Sequence, residues 1–184
     1  MNYKEIIPVK ATIKVGLLSD THGHVPEDVL KFLSNCNVVF HAGDIGSETV
    51  ADKLESLTTL VAVHGNIDGR EIRLRFPSVQ RVKLGGLKLF MTHIAGYPGK
   101  YQSNIKTLLI QERPDLVVCG HSHILRIIYD KELQHLHINP GACGLVGWHT
   151  RLTAVRFSIE HNKPCGMEIW ENMRPRHTDV AQDL

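Results

Sequence analysis

The sequence predicts an α/β fold in which two mixed β-sheets pack as a sandwich flanked by helices. Two observations lead there. Residues 13–63 alternate strand, helix, strand, helix, strand, and the remainder is mostly strand, opening on a glycine hairpin.

Ile13 to Leu18 is an apolar run broken by Ser19-Asp20, which suits a buried strand ending at a loop. Pro26 opens a helix with Glu27 and Asp28 in its positive-dipole first turn, and Val29, Leu33 and Cys36 share one face. A strand over Asn37 to Phe40 follows. The next helix starts at about Ser47, with Val50, Leu54 and Leu57 as its inward stripe, and leads to a strand over Thr58 to Val63. Such alternation implies a parallel, doubly wound arrangement with ligand sites beyond the carboxyl ends of the strands.

Val79 to Leu84 and Leu87 to Thr92 flank Gly85-Gly86, a two-residue turn suited to an antiparallel hairpin. A helix from about Tyr101 to Glu112 turns Ile105, Leu108 and Leu109 inward and stops before Pro114. Strands are expected at Leu116 to Cys119, Ile124 to Tyr129, Leu133 to Ile138, Leu152 to Phe157 and about Met167 to Trp170. We read residues 1–184 as one domain with its core over about 13–171. Residues 1–11 carry no assignment, and the polar tail 172–184 is expected to fray.

The formal charge of +2 is spread along the chain, so there is no basic stripe for nucleic acid and no membrane footprint. No segment reaches the roughly 20 apolar residues of a spanning helix, and the start lacks the apolar core of a secretory signal. The four cysteines form no Cys-x-x-Cys pair, and Cys36 and Cys119 lie among apolar residues. A reducing, cytoplasmic setting is expected. Twelve histidines are the compositional oddity, and their positions decide what they mean.

Five blocks place Asp, Asn or His just after a hydrophobic strand: Asp20-Thr21-His22, Gly43-Asp44, Gly65-Asn66, Thr92-His93 and Gly120-His121-Ser122-His123. If these segments are extended, Asp20 with His22, and His121 with His123, each present two ligands to one point. Carboxylate, imidazole and amide oxygen without thiolate suit Mn²⁺, Fe or Zn²⁺ rather than a structural zinc site. The neighbouring glycines fit tight turns and close backbone approach.

In order, these blocks resemble the calcineurin-like metallophosphoesterases, with Asn139-Pro140-Gly141 matching a segment of the family's small bacterial and archaeal members. The resemblance implies a sandwich fold and two divalent ions per chain, Mn²⁺ first, with Zn²⁺, Fe or Ni²⁺ as alternatives. It implies that Asp20, His22, Asp44 and His123 hold one ion and Asp44, Asn66, His93 and His121 the other, so that Asp44 bridges and all seven are catalytic. Ions about 3.5 to 4 Å apart can bind a bridging hydroxide for in-line attack on phosphorus. The substrate would be a small phosphate ester and the protein a homodimer or larger homo-oligomer. The family's Ser/Thr phosphatases have a histidine after the cluster asparagine. Ile67 stands there in this chain, which points to phosphodiesters with good leaving groups.

Departures from the pattern are Ile94 after His93, His64 before Gly65, and Ala142 after Gly141. His24 and His41 are candidates for support of the ligands, His41 with a structural role. Asp68 is expected to order the Gly65-Asn66 turn. Arg70, Arg73 and Arg75 read as a solvated face, Trp148 and Trp170 as packing or interface residues. His64, His135, His137, His149, His161 and His177 read as ordinary surface or core histidines. The competing functions are a non-catalytic trafficking scaffold of the same fold and a phosphomonoesterase or nucleotidase. A nuclease lacks a basic stripe, and a metallo-β-lactamase-like hydrolase lacks a His-x-His-x-Asp-His run.

Overall fold

The computed structural model describes residues 2–7 and 12–175. Eleven strands and four helices follow in the order β1 (Lys4–Ile7), β2 (Ile13–Leu18), α1 (Glu27–Leu33), β3 (Val38–His41), α2 (Glu48–Leu57), β4 (Thr59–Ala62), α3 (Arg70–Arg75), β5 (Val79–Leu84), β6 (Leu87–Thr92), α4 (Ser103–Glu112), β7 (Leu116–Val118), β8 (Leu125–Asp130), β9 (His135–Pro140), β10 (Arg151–Glu160) and β11 (Lys163–Met173). One sheet has the order β1-β5-β6-β7-β9-β8 and the other β11-β10-β2-β3-β4. Both are mixed: β2, β3 and β4 run parallel, whereas β10 joins β2 antiparallel.

The expected β-α-β-α-β half is therefore present, but helices cover only one face of its sheet. Val15, Leu17, Val38 and Phe40 turn the other way and meet Leu89, Met91, Leu116 and Val118 of the second sheet. On the helical side Leu18, Val39 and Ala62 pack against Val29, Leu33, Val50 and Leu54. Across the second sheet, Phe90, Val117 and Cys119 meet Ile105 and Leu109 of α4. Strands buried on both faces read as continuous apolar runs, which is what residues 13–18 and 116–119 show. Phe40 and Phe90 are fully buried, each worth roughly 1.5 to 3 kcal/mol of transfer free energy.

Local chemistry sets the ends of the elements. The hydroxyl of Ser47 accepts from the Val50 N–H and starts α2. Arg113 closes α4 in a left-handed conformation before Pro114. The hairpin pairs Leu84 with Leu87 across Gly85-Gly86, as expected. Two elements carry no clear sequence signal: β1, which pairs in parallel with β5 from within the unassigned first residues, and α3, one and a half turns rich in arginine. The last strand is longer than expected and takes in Asn172 and Met173, Arg174 and Pro175 follow it, and residues 176–184 lie outside the described residues. Among the described residues no helix is long and apolar enough to cross a membrane.

Candidate metal centre

The loops after β2 and β3 continue the sheet in miniature. Asp20 N–H donates to the Gly43 carbonyl at 3.0 Å, His22 N–H to Asp44 at 3.0 Å, and Gly23 N–H to Ile45 at 2.8 Å. These residues are not extended. Asp20, His22, Asp44, His121 and His123 all have positive φ, between 48° and 69°. Non-glycine residues rarely sit there, and each costs of order 1 to 3 kcal/mol that the surroundings must offset. The expectation that extended i, i+2 pairs aim at one point is thus corrected. Left-handed turns aim the side chains instead, and the pairs do not behave alike.

Asp20, His22 and His123 form one group, and Asp44, His93 and His121 form another, with the ligand atoms in each within 4.8 Å of one another. Asp20 and His22 stay together, while His121 and His123 divide between the groups. In the first, His123 Nε2 lies 3.3 Å from Asp20 Oδ1 and 3.3 Å from His22 Nε2. In the second, His93 Nε2 lies 3.3 Å from Asp44 Oδ2 and 3.1 Å from Asn66 Oδ1. All seven candidates therefore gather in two adjacent clusters, including His93 despite the Ile94 departure.

Proton bookkeeping shows what these clusters need. His93 Nδ1 donates to the Ala42 carbonyl at 2.8 Å, so a neutral His93 turns an Nε2 lone pair toward two oxygen acceptors. His149 Nε2 donates to the Gly144 carbonyl at 2.9 Å, which leaves His149 Nδ1 to accept from His123 Nδ1 at 3.1 Å. The His123 Nε2 lone pair then faces Asp20. Converging acceptors repel unless a cation lies between them. Ligand atoms about 2.1 Å from one ion stand roughly 3.0 to 3.4 Å apart in octahedral or tetrahedral arrangement, which the 3.1 to 3.3 Å spacings match. The residues fit divalent ions.

The charges agree. Burial holds His22 below its ordinary value against the pull of Asp20 and Asp44. Burial also lowers His93, but its hydrogen bond to Asp44 and the charges of Asp20 and Asp44 raise it overall, so that a proton can stand in for an ion there. Burial pushes the Asp44 carboxyl up, yet its bond to His93 and the Ile67 N–H bring it below the usual range.

Supporting groups pin the loops. Burial pushes His41 down to about 4, and this neutral ring accepts from the Gly43 N–H and donates to Thr21, whose hydroxyl donates to the Ile45 carbonyl. His41 is thus structural, as expected. Asp68 accepts from the N–H groups of Ile45, Gly46 and Gly65, ordering the turn as expected. Asn139 donates to the Gly120 carbonyl and the Ser122 hydroxyl, fixing the His121 loop. A Cβ on Gly65 would run into the Asp44 carboxylate, and one on Gly120 into Asp20 Oδ2, so glycine is required for close approach. His24 is exposed and outside both groups.

Other expectations hold only in part. Arg73 is not merely solvated: its guanidinium donates to the carbonyls of Gly65, Asn66 and Asp68, while Arg75 pairs with Asp52 and Glu55. Arg73 thus reaches back from α3 to clamp the Asn66 turn, a role that no sequence signal marks. His149 is no ordinary surface residue but touches His123, and Arg174 donates to the Gly147 and His149 carbonyls to hold that loop. His135 and His137 gather on Tyr101 in a separate cluster, and His177 lies outside the described residues. Trp170 packs on the helical layer, whereas Trp148 is fully exposed. Removing the acceptor beside His123 should matter: outer partners of metal-bound imidazole are typically worth 10- to 100-fold in affinity. His149→Phe is expected to weaken binding of the ion held by Asp20, His22 and His123 by that factor in calorimetric titration, with His149→Gln retaining most of it through its amide oxygen.

An α/β sandwich with two clusters of carboxylate, amide and imidazole donors at the carboxyl ends of its strands defines a candidate divalent-metal site. A family profile described as the calcineurin-like phosphoesterase superfamily domain matches residues 13–162, and the chain belongs to that superfamily. The family carries divalent metals and acts on phosphate esters. A phosphodiesterase of Methanocaldococcus jannaschii is 30% identical over 147 residues, covering 71% of this chain and 84% of that protein. A solved structure described as a novel archaeal phosphodiesterase has a TM-score of 0.68 at 28% identity, over 88% of this chain and 99% of that one. Vps29 from Entamoeba histolytica, solved in complex with zinc, shares the fold at a TM-score of 0.61 and 15% identity, over 89% and 100% of the two chains.

Proposed function

We propose that this chain is a two-metal phosphodiesterase in which Asp20, His22 and His123 hold one ion, Asn66, His93 and His121 hold the other, and Asp44 reaches both. The observation that carries the reading is the pair of adjacent clusters whose ligand atoms converge at the spacing of donors around one ion. Two divalent ions bound there supply Lewis-acid polarisation of the phosphoryl group and a deprotonated water near neutral pH. The chain's own part is to orient: Ala42 and His149 fix which imidazole nitrogens face inward, and the Ile67 N–H holds Asp44 Oδ1 at 3.1 Å. Neutral His and Asn ligands leave a net positive field for an anionic ester. Mn²⁺ is our first choice of metal, on the oxygen and imidazole donor set. A cytoplasmic setting is supported by three buried free thiols.

A diester, rather than a monoester, is supported by the surroundings. Cavities of about 260 and 360 Å³ lie on either side of the second cluster, one lined by His121 and the other by Asn66 and His93, and they share Ile94 and Gln102. Two ester arms leaving one phosphorus need such a pair of outlets. The likeness to zinc-bound Vps29 means that metal binding alone does not separate an enzyme from a scaffold, so turnover must be measured. Bis(p-nitrophenyl) phosphate and p-nitrophenyl phosphate should be compared with Mn²⁺, Ni²⁺, Zn²⁺ and Mg²⁺. We expect the diester to be cleaved faster. Metal-loaded protein that turns over neither would favour the scaffold.

Ile67 refines this expectation. Its side chain is 49% exposed and supports no core, so Ile67→His can be accommodated. General-acid help is typically worth roughly 10²- to 10⁴-fold and matters most for alkoxide leaving groups. Ile67→His should therefore raise kcat/KM on alkyl monoesters relative to aryl diesters by at least about tenfold. No relative gain at unchanged metal content would place leaving-group protonation elsewhere.

A further inference from the structure

We infer that the cavity beside His121 is an anion subsite, and that the substrates are phosphodiesters in which one ester arm carries a second phosphate or carboxylate; this rests on the phosphodiesterase reading. The cavity, of about 260 Å³, runs from Gly120 and His121 of the second cluster to Arg126 on β8 and Tyr97 on the loop after β6. It contains no acidic residue among its lining. Arg126 stands out because its charge is unspent. Every other arginine on the walls of the centre is engaged: Arg73 by three carbonyls and Arg174 by two. Arg126 has no carboxylate or carbonyl partner among the described residues, and its guanidinium lies over the Tyr97 ring at 4.2 Å. The ring contact restrains the guanidinium while its N–H donors remain without a protein acceptor among the described residues, so that it can bind carboxylate or phosphate with two parallel hydrogen bonds.

A second donor points into the same space. The Ser122 hydroxyl accepts from Asn139 Nδ2 at 3.1 Å and from the Ile124 N–H at 3.3 Å, so both its acceptor positions are used and its hydrogen remains to donate. Ser122 lies between two candidate ligands, His121 and His123. A group held by Arg126 and Ser122 is thereby tethered directly beside the phosphorus at the second cluster. The cavity on the far side, by contrast, meets Arg73 only after its donors are committed, so it suits an uncharged arm.

The test uses thymidine 5′-monophosphate and thymidine 3′,5′-bisphosphate, which differ by one phosphate. Their binding to the metal-loaded, full-length protein is measured by titration calorimetry, and their competitive inhibition is measured with bis(p-nitrophenyl) phosphate as reporter. The bisphosphate should bind about 10- to 100-fold more tightly, as expected for a charge-assisted pair. In Arg126→Ala that ratio should fall to within about threefold, with Arg126→Lys between, because a point charge keeps the attraction but not the paired geometry. A wild type without preference, or an Arg126→Ala protein with the full preference, overturns the subsite. Calorimetry reads the subsite without turnover. A preserved preference in a protein that hydrolyses nothing would sink the enzyme reading and leave the anion site standing.

Discussion

Stripping the divalent ions should reduce phosphodiester hydrolysis to the uncatalysed background, and readdition of Mn²⁺ should restore it. The reason is structural, since the two clusters offer carboxylate, amide and imidazole groups, and the inward-facing nitrogens of neutral His93 and His123 are acceptors that a cation must satisfy. Elemental analysis of the restored protein is expected to give two ions per chain. Stability should move with activity. Free ion at a hundred times its dissociation constant adds about 2.7 kcal/mol per site, which for a chain of this size is on the order of 5 °C or more in Tm for each ion. Full activity under chelator would remove the basis of the proposed mechanism.

The second large effect is expected from Asp44→Asn. Asp44 is buried, and its two oxygens have separate tasks: Oδ1 accepts from the Ile67 N–H, and Oδ2 faces His93 Nε2. Asparagine keeps the size but removes one negative charge and one of the two acceptors. Outer partners of a metal ligand already cost 10- to 100-fold, so loss of a charged ligand should lower kcat/KM on the order of 10³-fold or more. His93 gives an independent readout. Its raised pKa depends on Asp44, so in metal-free Asp44→Asn it should titrate lower, as followed by NMR of the imidazole protons. Wild-type turnover and metal content in this variant would show that Asp44 is not a shared ligand.

Much of this molecule could be read from the chain because the determinants are local. Apolar runs at residues 13–18, 87–92 and 116–119 are largely buried, residues 79–84 alternate and are recognised by the Gly85-Gly86 turn that follows them, and Ser47, Pro26 and Pro114 mark helix ends that hold in three dimensions. The seven candidate ligands follow strand ends, and position after a strand is visible in sequence. What supports them is not. His149 reaches His123 across 26 residues, Asn139 reaches Gly120 across 19, and Arg73 folds back from a helix too short to show periodicity. β1 is four residues long and has one buried side chain, so pairing with β5 rather than its own pattern makes it a strand. The backbone conformation of the ligands was also hidden. An Asp or His carries no sequence mark of a left-handed φ, and the extended geometry expected for Asp20-Thr21-His22 gives way to turns tied by neighbouring loops.

Those left-handed positions set selection on stability against selection on chemistry. Glycine would occupy the backbone of Asp20, His22, Asp44, His121 or His123 with less steric conflict than the residues present. Buried carboxylates and opposed imidazoles add a second reason for the metal-free chain to prefer simpler side chains at these points. Loss of these ligands should therefore leave the sandwich intact and raise the stability of the metal-free chain. A chain that replaced these residues would be expected to fold more easily, so the left-handed Asp and His positions are kept by what they bind rather than by stability.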